Sequence, residues 1–206
     1  DLDHCDLLGQ TREAIGADKA HIFRAGKWAV CGDPNCPSSV VRLARQRGAR
    51  LLLRGEDFDF SRTQAGWSFH SSLQQYADLP LPHLMLDNAA TALMVLSACQ
   101  PFDVPYSAIS SVLADFYLTG RCQWVRDGGT PLLLDVAHNP QSIAHLAQAL
   151  VRENSAGPCH ALVGIKNSKA IEASLSPMIG LVDVWHVFDI DDPRFCSKQV
   201  LAQKLQ

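Results

Sequence analysis

The stretch LLLDVAHNPQSIAHLAQAL, residues 132–150, begins as an apolar strand pattern and continues as an amphipathic helix pattern. Between the two patterns stand Asp135, His138 and Asn139, and Pro140 suits the first turn of the helix. Ligands of open parallel α/β sheets bind at the carboxyl ends of the strands, and the free N–H groups of a helix start favour an anion. The stretch therefore predicts a ligand site at a strand tip. In the alternative interpretation, Asp135 and Asn139 only cap the helix.

The same alternation of strand and helix continues to the end of the chain. The patterns predict strands at residues 132–136, 160–165 and 183–188, and helices at residues 142–153, 170–179 and from 197 onward. A βαβαβα order of this kind is typical of a doubly wound parallel sheet.

The first part of the chain also begins with alternating elements. The patterns predict a helix from Thr11 to about residues 19–22, a strand at 27–32, a helix that Ser38 or Ser39 caps and Gly48 ends, and a strand at 50–55. An α-β-α-β order of this kind indicates another parallel α/β sheet.

The middle of the chain has a different character. Residues 58–72 alternate aromatic and polar side chains and predict a β-hairpin that turns near Ala65 and Gly66. The Pro-rich residues 76–87 are expected to be extended, and helices begin near Asn88 and at Pro105. The turn residues of TGRCQWVRDGGTP predict a linker or a hairpin. We therefore expect a domain over residues 1–119, a linker over 120–125 and a second domain over 126–206.

Composition narrows the class of protein. The chain of 206 residues has a net charge of −3, so electrostatics gives no reason to expect nucleic acid or an anionic membrane as a partner. Seven cysteines without a CxxC pair are typical of reduced cytosolic thiols, and Cys31 and Cys36 lack the further ligands of a zinc site. The start at Asp1 and the end at Gln206, inside a helical pattern, indicate a fragment.

Four further polar positions are candidates, and each has a structural alternative. His4 follows an aspartate in a loop, which is a weak metal signal and more typical of a surface or capping histidine. Lys19 is more typical of an ion-pair partner, since an ammonium group does not ligate a cation. Asn88 lies at a helix start. Arg121 lies in the predicted linker, where its planar fork suits a phosphate, although a plain surface arginine has the same sequence signature.

Taken together, four stretches resemble the folylpolyglutamate synthase/dihydrofolate synthase family of the wider muramyl-ligase-like superfamily. They are DHCDLLGQTREAIGADKAHIFRAGKWAV, DNAATAL, TGRCQ and LLLDVAHNP, in family order over nearly the whole chain. The resemblance implies an α/β protein: the end of a P-loop-type ATPase domain, followed by a Rossmann-like doubly wound domain. It implies ATP-dependent ligation of L-glutamate to the carboxylate of dihydropteroate or a tetrahydrofolate polyglutamate, through an acyl phosphate, with ATP and Mg²⁺ required.

The resemblance also implies roles for individual residues. ATP-contacting positions of the family match Asn88, Arg121 and Asp135. The histidine near the reaction centre matches His138, with Asn139 beside it as a substrate-binding residue. The metal-binding histidine matches His4. The lysine that the family carbamylates, and so converts into a carboxylate-like metal ligand, matches Lys19, which is therefore both a catalytic and a metal candidate.

Several family features are missing. The GTNGKGS-like phosphate-binding loop and the late GS-containing strand do not occur in these 206 residues. His21 stands where the family usually has glycine, and TGR stands for the usual PGR. We therefore expect a truncated chain that does not complete the ligation cycle alone. It is expected to be a cytoplasmic monomer with small-molecule substrates. The alternatives are a muramyl-type ligase of peptidoglycan assembly and a non-catalytic nucleotide-binding remnant.

Overall fold

The computed structural model describes residues 9–99, 103–153, 157–167 and 171–205. The chain divides into two compact units, one ending at Leu118 and the other starting at Thr119. Within the described ranges, no helix is long and apolar enough to cross a membrane.

The first unit contains a parallel strand pair, an antiparallel sheet and four described helices. Its elements are α1 (Arg12–Ala20), β1 (Trp28–Cys31), α2 (Ser38–Arg47), β2 (Arg50–Leu53), β3 (Phe58–Arg62), β4 (Trp67–Ser71), β5 (Gln75–Leu79), α3 (Leu86–Ala98) and α4 (Tyr106–Asp115). Strands β1 and β2 pair in parallel, and β3, β4 and β5 form an antiparallel sheet in chain order. The predicted α-β-α-β order and the predicted hairpin are confirmed.

Strand β5 differs from the prediction, which treated its residues as a Pro-rich extended segment. It pairs antiparallel with β4, and the register shifts between Trp67 and Phe69. Buried and exposed side chains do not alternate regularly along the segment QYADL, since only Leu79 among its five residues is fully buried. Pairing with a strand that is already in place, rather than the local pattern, makes this segment a strand.

The core of the first unit lies between the antiparallel sheet and α3. Trp67, Phe69 and Leu79 from the sheet are fully buried, as are Ala90 and Met94 from the helix. The indole N–H of Trp67 donates to the carbonyl of Pro80 over 2.9 Å, so the buried ring keeps its hydrogen bond. The apolar side chains of α3 thus attach the start of this helix to the sheet.

Two predicted helix starts need correction. Helix α2 begins at Ser38 with Pro37 at its N-cap position, and neither serine caps it. Instead, the carboxylate of Glu13, on α1, accepts hydrogen bonds from the backbone N–H groups of Ser38 (3.0 Å) and Ser39 (2.7 Å). Helix α3 begins at Leu86, so the predicted cap residue Asn88 lies inside its first turn.

The Glu13 carboxylate provides a first prediction. Its hydrogen bonds, chiefly that from the Ser39 N–H, lower the pKa of the carboxyl below its ordinary 4.5. A lowered pKa in the folded state stabilises the fold above pH 4.5, and this contribution is lost as the pH falls through the folded-state value. Glu13→Gln should therefore lower the melting temperature at pH 7 by a few degrees. The gap to the unsubstituted chain should shrink on acidification.

The control for this measurement is Glu56→Gln, which removes the same charge from an exposed turn. Thermal melts between pH 3 and pH 7, followed by tryptophan fluorescence, give the comparison. An equal effect of the two substitutions at every pH would contradict a capping role for Glu13.

Helix α3 approaches the tip of β1 closely at a glycine. A Cβ atom built on Gly32 would lie 2.0 Å from Oγ1 of Thr91, which donates to the carbonyl of Asp87 over 2.7 Å. The side chain of Asp87 forms an ion pair with Arg54, whose side chain is only 12% exposed. The first turn of α3 carries Asn88. It can lie against the end of β1 only because the residue there is glycine.

Gly32→Ala should destabilise the first unit by about 1–3 kcal/mol, because the added methyl group overlaps the Thr91 side chain. The Thr91→Ala background should reduce this cost, since the hydroxyl that clashes is then absent. Denaturant unfolding of the two single variants and the double variant measures the coupling between the positions. Additive effects would rule out the proposed contact.

The second unit contains a hairpin, a parallel strand pair and three described helices. Its elements are β6 (Gln123–Asp127), β7 (Thr130–Leu134), α5 (Pro140–Glu153), β8 (His160–Val163), α6 (Ile171–Ile179), β9 (Val184–Val187) and α7 (Lys198–Lys204). Ser197 caps α7 through its side chain. The predicted strand and helix alternation is confirmed, and the fold is α/β.

Strand β7 does not join the expected parallel sheet, and the hairpin interpretation of residues 119–131 is confirmed. It forms an antiparallel hairpin with β6, which turns at Gly128 and Gly129, while β8 and β9 pair in parallel. The paired glycines permit the tight turn because both have positive φ angles, of 53° and 89°. Residues 123–125 of the predicted linker lie in β6. The division into domains with a linker at 120–125 stays a prediction.

Candidate functional site

Asp135, one residue beyond β7, hydrogen-bonds backbone groups on both sides of the hairpin. Its Oδ2 accepts from the N–H of Cys122 and its Oδ1 from the N–H of Ala137, each over 2.6 Å. The N–H of Val136 donates to the carbonyl of Gly120 over 2.9 Å. The end of β7 and the residues before β6 are thus joined by one main-chain bond and one carboxylate.

These bonds hold an uncommon backbone conformation. Cys122 has a φ of 43°, which a residue with a Cβ rarely adopts, and Gly120 has a φ of 70°. The negatively charged Asp135 makes its bond to the Cys122 N–H a strong one, and this offsets the conformational cost. Arg121 lies between the two left-handed residues and is exposed. The carboxylate therefore supports the backbone conformation directly after Arg121.

The thiol beside this carboxylate has a raised pKa. Burial, and then the negative charge of Asp135, raise the pKa of Cys122 to about 11. Because the thiolate is the nucleophilic form, the raised pKa lowers the nucleophilicity of Cys122 near pH 7.

His138 lies in the loop between β7 and α5. Its Nδ1 is 3.0 Å from the carbonyl oxygen of Val136, which only accepts, so the ring proton is on Nδ1. In the neutral ring, Nε2 is then the acceptor nitrogen. This arrangement suits a group that accepts a proton or a hydrogen bond from a substrate.

Asn139 caps helix α5. Its Oδ1 accepts from the N–H and the hydroxyl of Ser142, both over 2.9 Å, and its carbonyl accepts from the N–H of Ile143 over 3.0 Å. The capping alternative that the sequence left open is thus realised by Asn139. For Asp135 the result is different, because it bonds to the Cys122 loop and to Ala137 rather than to the helix.

The described candidates fall into two groups. The second unit brings Arg121, Asp135, His138 and Asn139 together in one cluster of loops. In the first unit, Lys19 lies exposed in the last turn of α1, and Asn88 lies exposed in the first turn of α3. His4 lies outside the described residues.

Metal-ligating groups are sparse in the part of the chain that the structure describes. No cluster there contains three or more histidine, cysteine, aspartate or glutamate residues. An unmodified Lys19 ammonium does not ligate a cation, and only a carbamylated side chain provides the oxygen ligands that Mg²⁺ prefers.

Some residues of the cluster were missed by the sequence reasoning. Cys122 contributes its N–H to the Asp135 bond, and Ser142 bonds Asn139 through both its N–H and its hydroxyl. For Ser142 a signal was available, because an asparagine followed three residues later by serine at a helix start is a capping pattern. For Cys122 there was no local signal, since its bond partner is 13 residues away.

Comparisons with known proteins find one family that matches the second unit and relatives that are similar over nearly the whole chain. The Mur ligase glutamate ligase domain family matches residues 120–206. The dihydrofolate synthase/folylpolyglutamate synthase of Escherichia coli (strain K12) is 35% identical over 204 residues, 99% of this chain and 48% of that protein. The structure of E. coli FolC in complex with DHPP and ADP has a TM-score of 0.91 at 35% identity, covering 100% of this chain and 49% of that one.

A second solved structure is of a bifunctional folylpolyglutamate synthase/dihydrofolate synthase with Mn, AMPPNP and L-glutamate bound. Its TM-score is 0.88 at 38% identity, and the match covers 99% of this chain and 49% of that chain. The chain thus spans about half the length of the relatives that it matches.

The α/β order and the match over residues 120–206 define the second unit as a glutamate ligase domain of the Mur ligase type. With the similarity that extends through the first unit, the whole chain belongs to the dihydrofolate synthase/folylpolyglutamate synthase family.

The bonds of Asp135 lead to a prediction on stability and thiol chemistry. Asp135→Ala leaves the N–H groups of Cys122 and Ala137 without their acceptor, which should cost about 1–3 kcal/mol. Because Asp135 contributes to the raised pKa of Cys122, that pKa should fall below about 11, and alkylation of the thiol should begin at lower pH. Denaturant unfolding and peptide-resolved mass spectrometry of iodoacetamide labelling measure the two effects.

Asp127→Ala is the matched control, since Asp127 lies exposed at the end of β6. It should change neither quantity by much. If the labelling profile of Cys122 is the same in the Asp135→Ala variant and the unsubstituted chain, Asp135 does not influence the thiol as the structure indicates.

Proposed function

We propose that this chain forms part of an ATP-dependent ligase that joins L-glutamate to the carboxylate of dihydropteroate or a folate polyglutamate. Membership of the dihydrofolate synthase/folylpolyglutamate synthase family supports the reaction class. Solved relatives contain ADP with DHPP, or Mn, AMPPNP and L-glutamate, which supports a nucleotide, a divalent metal and glutamate as ligands. The single observation that carries the proposal for this chain is the Asp135 carboxylate, which accepts the N–H of Cys122, adjacent to Arg121, and the N–H of Ala137, adjacent to His138.

The reaction has two chemical steps. The folate carboxylate attacks the terminal phosphoryl group of ATP, and ADP leaves with the bond between the β and γ phosphates broken. The amine of L-glutamate then attacks the acyl phosphate, the new C–N bond forms, and inorganic phosphate leaves as the amine loses a proton. Both steps place negative charge on phosphoryl oxygens, which positioned cations must stabilise.

The residues of the second unit have chemically distinct roles in this proposal. The guanidinium group of Arg121 binds phosphate oxygens of the nucleotide, for which its planar fork is suited. Each carboxylate oxygen of Asp135 accepts one backbone N–H and retains a further lone pair for a nucleotide hydroxyl. Nε2 of His138 approaches the acyl phosphate or the glutamate amine. Asn139, as helix cap, positions the adjacent histidine and contributes to the substrate site.

The candidate residues of the first unit have roles of their own in this proposal. Asn88 contacts the nucleotide, and carbamylated Lys19 with His4 holds Mg²⁺. The metal would neutralise phosphate charge, and hard oxygen ligands such as a carbamate suit it. Lys19 is exposed, so CO₂ has access to its amine. The active protein is proposed to be a cytoplasmic monomer that acts on small molecules, without nucleic acid or membrane partners.

A chimera tests the proposal with a complete ligase. In it, this chain replaces the matched half of the E. coli dihydrofolate synthase/folylpolyglutamate synthase. The expected result is glutamate-dependent release of ADP with dihydropteroate or tetrahydrofolate. Arg121→Ala should lower kcat/KM for ATP by about 10- to 100-fold, the effect of losing a charged hydrogen bond.

Arg126→Ala, on β6, removes an equal charge from an exposed position and is the control. Turnover with a UDP-muramyl substrate in place of the folate would favour the peptidoglycan ligase instead. A folded chimera that binds ADP without ligation would indicate a nucleotide-binding remnant. Equal kinetics of the Arg121 and Arg126 variants would remove the proposed role of Arg121.

A further inference from the structure

Two histidines meet on an exposed sheet surface of the second unit. His160 is the first residue of β8 and His186 the third residue of β9, which pair in parallel. Their ring planes lie within 17° of parallel, and Nδ1 of His160 is 3.0 Å from Nε2 of His186. Two ring nitrogens are thus in direct contact at the surface.

The alternation of the two strands accounts for this exposure. Ala161 and Trp185 face the helices of the second unit and pack against its core, whereas their neighbours point the other way. The side chains that share this outer face are His160, Leu162, Val184 and His186. Leu162 is 75% exposed, so the histidines lie in an open, largely apolar surface.

We propose that His160 and His186 form a two-histidine site for a divalent late-transition-metal ion. Imidazole nitrogen is a favoured ligand of nickel, copper and zinc. Two cis bonds of about 2.0–2.1 Å at a right angle place their nitrogens about 2.8–3.0 Å apart. The observed separation of 3.0 Å therefore matches two adjacent positions of one tetragonal or octahedral ion.

Binding requires both rings to turn. The centroids are 5.3 Å apart, so the two nitrogens lie nearly on the line between the centroids, as in an N–H···N hydrogen bond. Each ring has to turn so that its lone pair leaves this line and points at a common ion. Both side chains are exposed and have room to turn. The ion replaces the shared proton, and water or an external ligand occupies its other positions.

This site is chemically different from the proposed nucleotide site and does not depend on it. Mg²⁺ prefers hard oxygen ligands and keeps much of its water, so it should not compete for two imidazoles. Ni²⁺ is the suitable probe, because it favours imidazole nitrogen and a cis geometry near a right angle, whereas zinc also binds the thiolates of cysteine.

Calorimetric titration of this 206-residue chain with Ni²⁺ tests the proposal. Loss of an outer partner of a ligand already weakens metal affinity about 10- to 100-fold. His160→Gln and His186→Gln should therefore each weaken one Ni²⁺ site by at least about tenfold, and excess Mg²⁺ should not displace the ion. The control is the His21→Gln variant, which is changed at an exposed position after α1. It should bind Ni²⁺ with the same affinity as the unsubstituted chain.

A second readout needs no substitution and covers the case of a variant that does not fold. Ni²⁺ should protect His160 and His186, but not His21, from carbethoxylation by diethyl pyrocarbonate, as followed by peptide-resolved mass spectrometry. The same Ni²⁺ isotherm for the unsubstituted chain and the folded double variant, or unchanged labelling of the pair with Ni²⁺ present, would overturn the proposal.

Discussion

The organisation of the candidate site depends on the carboxylate of Asp135. Its two oxygens accept hydrogen bonds from backbone groups that are distant in sequence, Cys122 and Ala137. One bond supports the left-handed conformation before β6, and the other shapes the turn toward α5. Because a carboxylate forms stronger hydrogen bonds than a neutral acceptor, one side chain supports the backbone next to Arg121 on one side and next to His138 on the other.

Close packing, an ion pair and hydrogen bonds together hold the helices of the first unit in place. Gly32 lets α3 lie against the end of β1, since any larger residue meets the Thr91 side chain. The Arg54–Asp87 ion pair ties the first turn of the same helix to the end of β2. Helix α2 is attached at its start by Glu13 rather than by its own serines. Lys19 and Asn88 are exposed candidates on α1 and α3. The first turn of each of these helices contacts another element of the unit, through Glu13 in α1 and Asp87 in α3.

Local signals in the sequence predicted the elements better than their pairing. The Thr11 cap of α1 and the left-handed Gly48 after α2 are visible in short stretches, and the structure confirms them. Strand β5 was not visible, and the hairpin that contains β7 was left as an alternative to a linker. Both depend on a partner strand and its register, which a hydrophobic pattern in one segment does not specify.

The sequence by itself determined the α/β class, the order of helices and strands, and the residue types at the strand tip, because these follow from periodicity, turn chemistry and family motifs within short stretches. The tertiary structure alone decided that Asp135 bonds to Cys122, that Glu13 caps a neighbouring helix, and that His160 meets His186. The physical reason is the same for all three contacts. Each joins groups 13 to 26 residues apart, and only the packing of the folded chain brings such groups within hydrogen-bonding distance.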